Sequence, residues 1–254
     1  MITISEPELV HEIPYRNSGS KRPRNCRLPV FTVRYRSTGP QPTFLACADL
    51  QGREADARQN RLLGESAADE IKSLQKSGVL PELDLCFLCG DFYDYPDLRK
   101  LGGTGDVTAA FNSLSTIAWQ TFAVLGNHDE VNVGELVPDV RILDGEIARP
   151  GSLTIGGVCG VIGNPAKNQR KTDEEFLAAL EFATGSQTDV VLLHQGPQAA
   201  NAHPPLFDPV HEYLQTRKEL LVLYGHNHAD EPFHVSGQNL YCNVHERMLV
   251  FLPA

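Results

Sequence analysis

Residues 121–129 read TFAVLGNHD, and residues 83–94 read LDLCFLCGDFYD. In both stretches a short apolar run, typical of a buried β-strand, ends at a glycine and is followed at once by polar side chains. Helical patterns lie between such runs, roughly at Asp56–Lys76, Val107–Ala118 and Glu174–Ala183. Strands that alternate with helices indicate βαβ units, and therefore an α/β fold that contains parallel strands.

Five predicted strands end in this way. They are Thr43–Ala48, Leu83–Cys89, Thr121–Leu125, Thr188–Leu193 and Leu220–Tyr224. The polar segments that follow them are Asp49-Leu50-Gln51, Gly90 to Asp94, Gly126 to Asp129, His194, and Gly225 to His228. One such ending is usually structural, because Asp caps helices and His occurs in polar turns. Five in succession predict a binding site, since ligands of open α/β sheets bind at the carboxyl ends of the strands.

The rest of the chain predicts one domain over residues 1–254, with a basic N-terminal extension at about residues 1–42. Strand patterns without helices fill Ser152–Gly163 and Phe233–Leu252. The extension carries seven basic residues, which are Arg16, Lys21, Arg22, Arg24, Arg27, Arg34 and Arg36. Two interpretations stay open for its predicted strand, Leu28–Arg36: a basic edge strand packed on an acidic domain, or an arm that faces phosphate or a polyanion.

The net charge and the composition limit the binding partners and the location that we expect for this protein. The 254 residues carry a net charge of -10, which disfavours nucleic acid as a partner, although a local basic patch could still bind it. The first residues lack the pattern of a signal peptide, and no segment approaches about 18 apolar residues, so we expect a cytoplasmic protein without a membrane partner. Cys86 and Cys89 are expected to be buried strand residues and not a zinc site, because no second C-x-x-C pair is present. The sequence indicates no oligomeric state.

The order of the five polar segments resembles that of the calcineurin-like metallophosphoesterase superfamily. The pattern of that family is D-x-H, G-D-x-x-D, G-N-H-D/E, a single His, and G-H-x-H, and the resemblance covers roughly residues 43–252. It implies a four-layer α/β/β/α sandwich with two mixed β-sheets. It also implies hydrolysis of phosphoesters with two divalent metal ions.

The resemblance also implies a set of metal ligands. Asp91 would contact both ions, and the remaining ligands would be Asp49, Gln51 and His228 at the first ion and Asn127, His194 and His226 at the second. Carboxylate, amide and imidazole groups suit manganese, which we expect, with iron or zinc as alternatives. The ions would bind phosphoryl oxygens and lower the pKa of a bridging water to give a hydroxide nucleophile. His128 would protonate or stabilise the leaving group, and Asp94 would orient its ring.

Gln51 departs from the family pattern, which usually has His at this position. An amide oxygen is a weaker and harder donor than imidazole, so we expect the first metal site to bind less tightly. Some family members that cleave nucleoside-diphosphate compounds carry Gln here. The expected partner is a small phosphorylated substrate, either a phosphodiester or a nucleotide. Two alternatives stay open: a phosphomonoester phosphatase, and a non-catalytic scaffold of the same fold that binds protein partners.

Overall fold

A computed structural model describes residues 2–19, 22–100, 102–185, 187–197 and 208–254, so that Lys21 of the basic extension lies outside the described residues. The α-helices in this part of the chain are α1 Leu63–Lys76, α2 Thr108–Ser115, α3 Asp173–Ala183 and α4 Pro209–Gln215. No helix among the described residues is long and apolar enough to cross a membrane.

The strands are numbered in chain order over the same described residues. The first ten are β1 Thr3–Ile4, β2 Glu8–Asn17, β3 Arg24–Arg36, β4 Phe44–Ala48, β5 Arg53–Glu54, β6 Leu83–Leu88, β7 Gly105–Asp106, β8 Ala118–Ala123, β9 Asp129–Glu130 and β10 Val140–Ile142. The others are β11 Glu146–Ala148, β12 Ile155–Val158, β13 Val161–Ile162, β14 Arg170–Lys171, β15 Val190–Gln195, β16 Leu221–Gly225, β17 Phe233–Ser236, β18 Asn239–Asn243 and β19 Arg247–Pro253.

Two mixed sheets form the centre of the molecule. The larger has the order β10-β8-β6-β4-β19-β3-β2-β5, with β1 paired to β3, and the smaller has the order β11-β12-β15-β16-β18-β17. Strands β4, β6 and β8 are parallel, as are β12, β15, β16 and β18. Strand β19 lies between β4, to which it is antiparallel, and β3, to which it is parallel.

The sheets pack face to face with helices outside them. One hydrophobic cluster joins Leu45 and Phe87 of the larger sheet to Leu192 and Leu223 of the smaller one, and it also contains residues of α1 and α2. A second cluster packs α3 and α4 against the smaller sheet, through residues such as Phe176. This arrangement confirms the predicted α/β/β/α sandwich with two mixed sheets.

The five predicted strands that lead to the polar segments are present, with shifted ends. Strand β15 continues two residues past the predicted end and includes His194, where the pairing with β16 becomes irregular between Leu193 and Gln195. Such a bulge redirects a side chain away from the regular alternation of a strand. The thiols of Cys86 and Cys89 are free and buried, as expected.

The basic extension is part of the larger sheet. Its strands β2 and β3 pair along most of their length, and β3 continues the sheet through β19. Several of its arginines have local partners: Arg16 donates to Asn60, Arg27 lies 3.8 Å from Glu12, and Arg34 donates to the carbonyl of Pro253. These contacts agree with packing of the basic segment on the rest of the protein, but β3 is not an edge strand, because it lies between β19 and β2.

Candidate metal centre

The polar segments meet at one edge of the sandwich. Asp49 follows β4, Asp91 follows β6, and Asn127 follows β8, while His194 lies near the end of β15 and His226 follows β16. Parallel strands of both sheets therefore deliver these side chains to the same edge. Three of the residues adopt positive φ angles: 56° at Asp49, 61° at Asp91 and 66° at His226. Such angles are uncommon for residues other than glycine and concentrate at functional sites.

Glycines allow the carboxylates to approach the neighbouring turns. A Cβ atom on Gly126 would collide with the carboxylate of Asp91, and one on Gly225 would collide with the carboxylate of Asp49. The glycine of each motif thus leaves room for a carboxylate that belongs to another motif. This close approach is a physical reason for Gly in both G-N-H-D and G-H-x-H.

Asp91 and His194 form the buried centre of the site. Nε2 of His194 lies 3.2 Å from Oδ2 of Asp91, and its Nδ1 lies 2.8 Å from the carbonyl oxygen of Cys89. A carbonyl can only accept, so Nδ1 carries a hydrogen, and the ring in its neutral form has its lone pair on Nε2. The ring of His226 packs edge-on against that of His194, with centroids 5.0 Å apart. Ligand atoms of Asp91, His194 and His226 lie within 4.8 Å of one another.

The polar atoms of this edge suit a metal ion. Oδ1 of Asn127 and Nε2 of His194 are buried and have no hydrogen-bond partner among the described residues. An unpaired buried acceptor costs free energy, roughly 1–3 kcal/mol, unless something else satisfies it. Nε2 of His194 is close to Asp91 but does not point at it in hydrogen-bond geometry. Two ligands of one ion are expected to be arranged in this way.

A second group of nitrogens and oxygens surrounds Asp49. Its Oδ2 accepts a hydrogen bond from the backbone N–H of His226 at 2.8 Å and lies 3.0 Å from Nδ1 of His245. The ring of His245 is 5.6 Å from that of His228, centroid to centroid. Ligand atoms of His228, His245 and Glu246 also lie within 4.8 Å of one another.

Two of the predicted metal ligands, His228 and Gln51, make fewer contacts with the other residues of the site. The side chain of His228 is 60% exposed, and its Nε2 lies 3.2 Å from the carboxylate of Asp230. Gln51 is half-buried two residues after Asp49, and its side chain makes no hydrogen bond within the described residues. The structure therefore brings ligand atoms of Asp91, His194 and His226 together, and joins Asp49 to them through the N–H of His226. It shows no such link for the side chain of Gln51.

His128 lies at the margin of this group, and Asp94 does not hold it. Nε2 of His128 is 4.0 Å from Oδ2 of Asp91, while its buried Nδ1 has no hydrogen-bond partner in the described part of the chain. We expected Asp94 to orient this ring, but its carboxylate accepts from the backbone N–H and the hydroxyl of Ser18 instead, at 3.1 and 2.6 Å. Arg53 donates to the carbonyl of Asp94 at 3.1 Å and helps to fix this turn.

The carboxylate of Asp129 connects the turn that carries Asp91 with the turn that carries Asn127. Its buried carboxylate accepts from the backbone N–H groups of Gly126, Asp91 and Phe92 at 2.7–2.9 Å. Burial and the nearby charge of Asp91 raise the pKa of this carboxyl to about 7. The last residue of G-N-H-D thus fixes the turns that carry Asp91 and Asn127.

Replacing Asp129 should therefore lower stability. In Asp129→Ala, three buried N–H donors lose their acceptor, and we expect the free energy of unfolding to fall by roughly 3 kcal/mol. Denaturant titration of the metal-free protein measures this change, with Glu130→Ala, a substitution of the exposed next residue, as the matched control. Equal midpoints for the two variants would contradict the role of Asp129 as the joint between the turns.

The charges at the site depend on one another. Burial alone would raise the pKa of Asp91, but the adjacent His194 and His128 lower it overall. Burial disfavours a charged His194 ring, yet Asp91 and then Asp49 raise its pKa to about 10. For His226, burial and the neighbouring His194 both lower the pKa. Without a metal ion, the raised pKa of His194 and the lowered pKa of Asp91 favour a charged imidazolium ring beside a carboxylate at neutral pH.

Metal binding should release a proton from the His194 ring. Because the pKa of His194 is raised above its ordinary value, the ring is protonated at pH 7–8 and must lose its proton to become a ligand. We expect about one proton released per chain, and metal affinity that weakens as the pH falls. Calorimetric titration with Mn²⁺ in two buffers of different ionisation enthalpy measures the release. Identical binding enthalpies in both buffers would show that no proton leaves.

Two residues at this edge carried no signal in the sequence. His245 has no motif around it, and Ser18 lies in a polar loop of the basic extension. Both reach the site through long-range pairing, His245 beside β4 and Ser18 at the end of the β2–β3 hairpin. Only a correct pairing of β19 with β4 and of β2 with β3 would have located them.

Comparison with known proteins agrees with the motif pattern. The model of a family described as calcineurin-like phosphoesterase matches residues 42–230. None of the curated proteins compared matches the chain. Among solved structures, the chain is similar to TT1561 of Thermus thermophilus, with a TM-score of 0.57 and 18% identity over 80% of this chain and 89% of that chain. It is also similar to AQ665 of Aquifex aeolicus, a protein of unknown function, with a TM-score of 0.34 and 13% identity over 64% and 83% of the two chains. The first likeness concerns the fold alone.

Proposed function

The chain belongs to the calcineurin-like phosphoesterase family, and from this premise we propose that it hydrolyses a phosphoester with two divalent metal ions. Asp91 is the proposed shared ligand. The other proposed ligands are Asp49, Gln51 and His228 at the first ion and Asn127, His194 and His226 at the second. The ions supply positive charge for the phosphoryl oxygens when bound, and they lower the pKa of the water that attacks phosphorus.

One observation carries this proposal: buried acceptors from separate strands converge without hydrogen-bond partners. Oδ1 of Asn127 and Nε2 of His194 are such atoms among the described residues. Nε2 of His194 lies 3.2 Å from Asp91, and Gly126, the residue before Asn127, packs against the Asp91 carboxylate. A scaffold that only binds proteins gains nothing from unpaired buried acceptors. The retained set therefore favours an enzyme over the non-catalytic alternative.

The side chains of this protein have separate parts in the proposed reaction. The carbonyl oxygen of Cys89 accepts from Nδ1 and fixes the His194 ring, so that Nε2 lies beside Asp91. His128 is proposed to give a proton to the leaving group, because its ring lies at the margin of the ligand cluster and is 24% exposed. Asp129 fixes the turns after β6 and β8, because its carboxylate accepts from the N–H groups of Asp91 and Gly126.

The proposed substrate is a phosphodiester or a nucleotide. Tyr93 and Tyr95 follow Asp91 directly, and their half-buried rings lie 5.6 Å apart in an edge-on arrangement. Aromatic faces beside a phosphoryl site can stack on a base, as they do in proteins that bind single-stranded nucleic acids. A phosphomonoester would use the metal ions without using these rings.

The free thiols of all six cysteines support a reducing compartment, and we propose the cytoplasm. Manganese is the proposed metal, because carboxylate and amide oxygens make up much of the ligand set. Iron and zinc are the alternatives.

An activity screen tests the proposal directly. Protein stripped with a chelator is reloaded with Mn²⁺, Fe²⁺ or Zn²⁺ and is given bis(p-nitrophenyl) phosphate, p-nitrophenyl phosphate or a nucleoside diphosphate compound. We expect metal-dependent hydrolysis that is fastest with Mn²⁺ and faster for the diester or the nucleotide than for the monoester. Faster monoester hydrolysis would favour the phosphatase alternative. No hydrolysis with any metal, in protein that binds two ions, would favour the scaffold.

A further inference from the structure

We propose that His245 is a ligand of the metal ion at Asp49, and that it supplies the imidazole that the chain lacks at position 51. The inference rests on the proposed two-metal function. Residue 245 lies outside residues 42–230, which the family model matches, so this ligand is not part of the family pattern. The position follows from the fold of this chain.

The first argument is the position of the ring nitrogen. Nδ1 of His245 lies 3.0 Å from Oδ2 of Asp49, yet this buried nitrogen has no hydrogen-bond partner among the described residues. The two atoms are close without pointing at each other. Two neighbouring atoms in an octahedral shell, each about 2.1 Å from the ion, lie about 3 Å apart. The separation of Nδ1 and Oδ2 fits two ligands of one ion.

The second argument is the rigidity of the backbone around His245. The residue forms a bridge with Ala48, next to Asp49. The N–H of Ala48 donates to the carbonyl of Val244 at 3.1 Å, and the N–H of Glu246 donates to the carbonyl of Ala48 at 3.1 Å. These bonds join the segment of His245 to the strand that carries Asp49. The imidazole is therefore held in place before an ion binds.

Side chains add to this support. The N–H of His245 donates to Oδ1 of Asn243 at 3.2 Å, and Nε of Arg247 donates to the carbonyl of His245 at 3.0 Å. Arg247 also donates to the carbonyl of Ala229 at 2.6 Å, so its charge is directed at carbonyl oxygens. The second ring nitrogen, Nε2, lies 4.0 Å from the carboxylate of Glu246. Asp49 is the nearer carboxylate, 3.0 Å from Nδ1, so the ring approaches Asp49 through Nδ1.

The third argument is a comparison with the other candidates at this ion. The His245 side chain is 17% exposed and held by its neighbours, whereas that of His228 is 60% exposed. Gln51 offers only an amide oxygen and has no hydrogen bond that orients it within the described residues. His245 is thus the best-positioned imidazole beside Asp49. The His228 ring lies 5.6 Å from that of His245, centroid to centroid, and we propose that the two rings and Asp49 bind the ion together.

Metal binding by His245→Ala tests the proposal without relying on activity. The measurement is the number of Mn²⁺ ions bound per chain and the Kd of each site, from equilibrium dialysis of stripped protein. We expect one site to weaken by more than about tenfold and the other to keep the parent Kd. The matched control is His234→Ala, which removes an exposed histidine of β17. Parent affinity at both sites of His245→Ala would overturn the proposal.

A rescue experiment separates ligation from a general loss of structure. In the double variant Gln51→His/His245→Ala, an imidazole returns from the position where the family usually has it. We expect the Kd of the weakened site to recover to within a few-fold of the parent value. No recovery in a folded double variant would count against a shared role for the two positions. If His245→Ala does not fold, the ¹⁵N resonance of Nδ1 in the parent decides: a shift on adding Zn²⁺ supports ligation, and no shift overturns it.

The outcomes distinguish this inference from the proposed function. Parent protein that binds two ions and hydrolyses substrate, with His245→Ala unchanged in both Kd values, rejects only the role of His245. Parent protein that binds two ions through His245 but hydrolyses nothing rejects only the proposed activity. Parent protein that binds fewer than two ions rejects the two-metal site and, with it, this inference.

Discussion

Asp91→Asn is expected to abolish nearly all hydrolysis and to weaken metal binding by more than about 100-fold at one site or both. The proposed shared carboxylate becomes a neutral amide, in which only one oxygen can bind a metal ion. The substitution keeps the shape of the side chain. Its oxygen can still accept the bond that the N–H of His128 gives to Oδ1 at 2.9 Å. The effect should therefore be on the metals and much less on the fold.

Metal analysis and thermal unfolding of the metal-free protein check this expectation together. Asp97→Asn is the matched control, since Asp97 is an exposed carboxylate in the loop that follows Asp94. Two equivalents of metal bound at parent affinity in Asp91→Asn would disprove the shared role. A large loss of stability in the metal-free variant would instead show that Asp91 acts mainly through its charge beside the His194 ring.

His128→Ala is expected to keep both metals and to lose about 10²–10⁴-fold in kcat for substrates with poor leaving groups. The ring lies beside the ligand cluster, 4.0 Å from Asp91, and one of its nitrogens has no partner among the described residues. These properties suit a proton donor more than a ligand. A leaving group that is already acidic needs no proton, so its hydrolysis should fall much less.

A series of aryl phosphodiesters with different leaving-group pKa values measures this dependence. The slope of log kcat against leaving-group pKa should be steeper for His128→Ala than for the parent. An equal loss across the series would assign His128 a positioning or charge role. Loss of a metal equivalent would place it among the ligands, and His11→Ala, at a partly exposed histidine of β2, serves as the control for histidine removal.

The sequence predicted the sandwich and the motif-bearing strands because those features depend on local patterns. Apolar runs that end in Gly with Asp, Asn or His are visible without any knowledge of pairing. The capping box of α3 was also visible: Thr172 accepts from the N–H of Glu175, and Glu175 accepts from the N–H of Thr172. In each case the interacting residues lie within a few positions of one another.

Predictions of secondary structure failed mainly at helix starts, where short-range contacts outside the helix hold the chain. The helix expected from Asp56 begins only at Leu63, because Arg61 returns to pair with Glu54 at 2.9 Å and holds the intervening residues in a turn. The helix predicted over Val107–Ala118 is the shorter α2, Thr108–Ser115, with Val107 as its N-cap, and Asp106 accepts from the N–H of Thr108 at 2.8 Å. Helix α4 was not predicted, although Asp208 followed by proline is a recognised helix start.

The candidate site divides into local motifs and distant contacts. The residues inside each motif could be identified from the sequence. The contact of Asp94 with Ser18 and that of His245 with Asp49 could not. Ser18 and Asp94 are far apart in the chain, and so are His245 and Asp49. Such contacts are set by the order of strands in the larger sheet, which no local pattern encodes.

The place of β19 between β4 and β3 has a consequence for the order of events during synthesis. Arg247 of β19 pairs with Ala48 of β4, a separation of roughly 200 residues that makes this contact a late one. While a ribosome is still making the segments before β19, the hairpin of β2 and β3 has no strand through which to join β4. The edges of β3 and β4 that later pair with β19 therefore stay unpaired in that interval, and unpaired strand edges favour aggregation. Because His245 adjoins β19, capture of metal at Asp49 would mark the completion of translation through this strand.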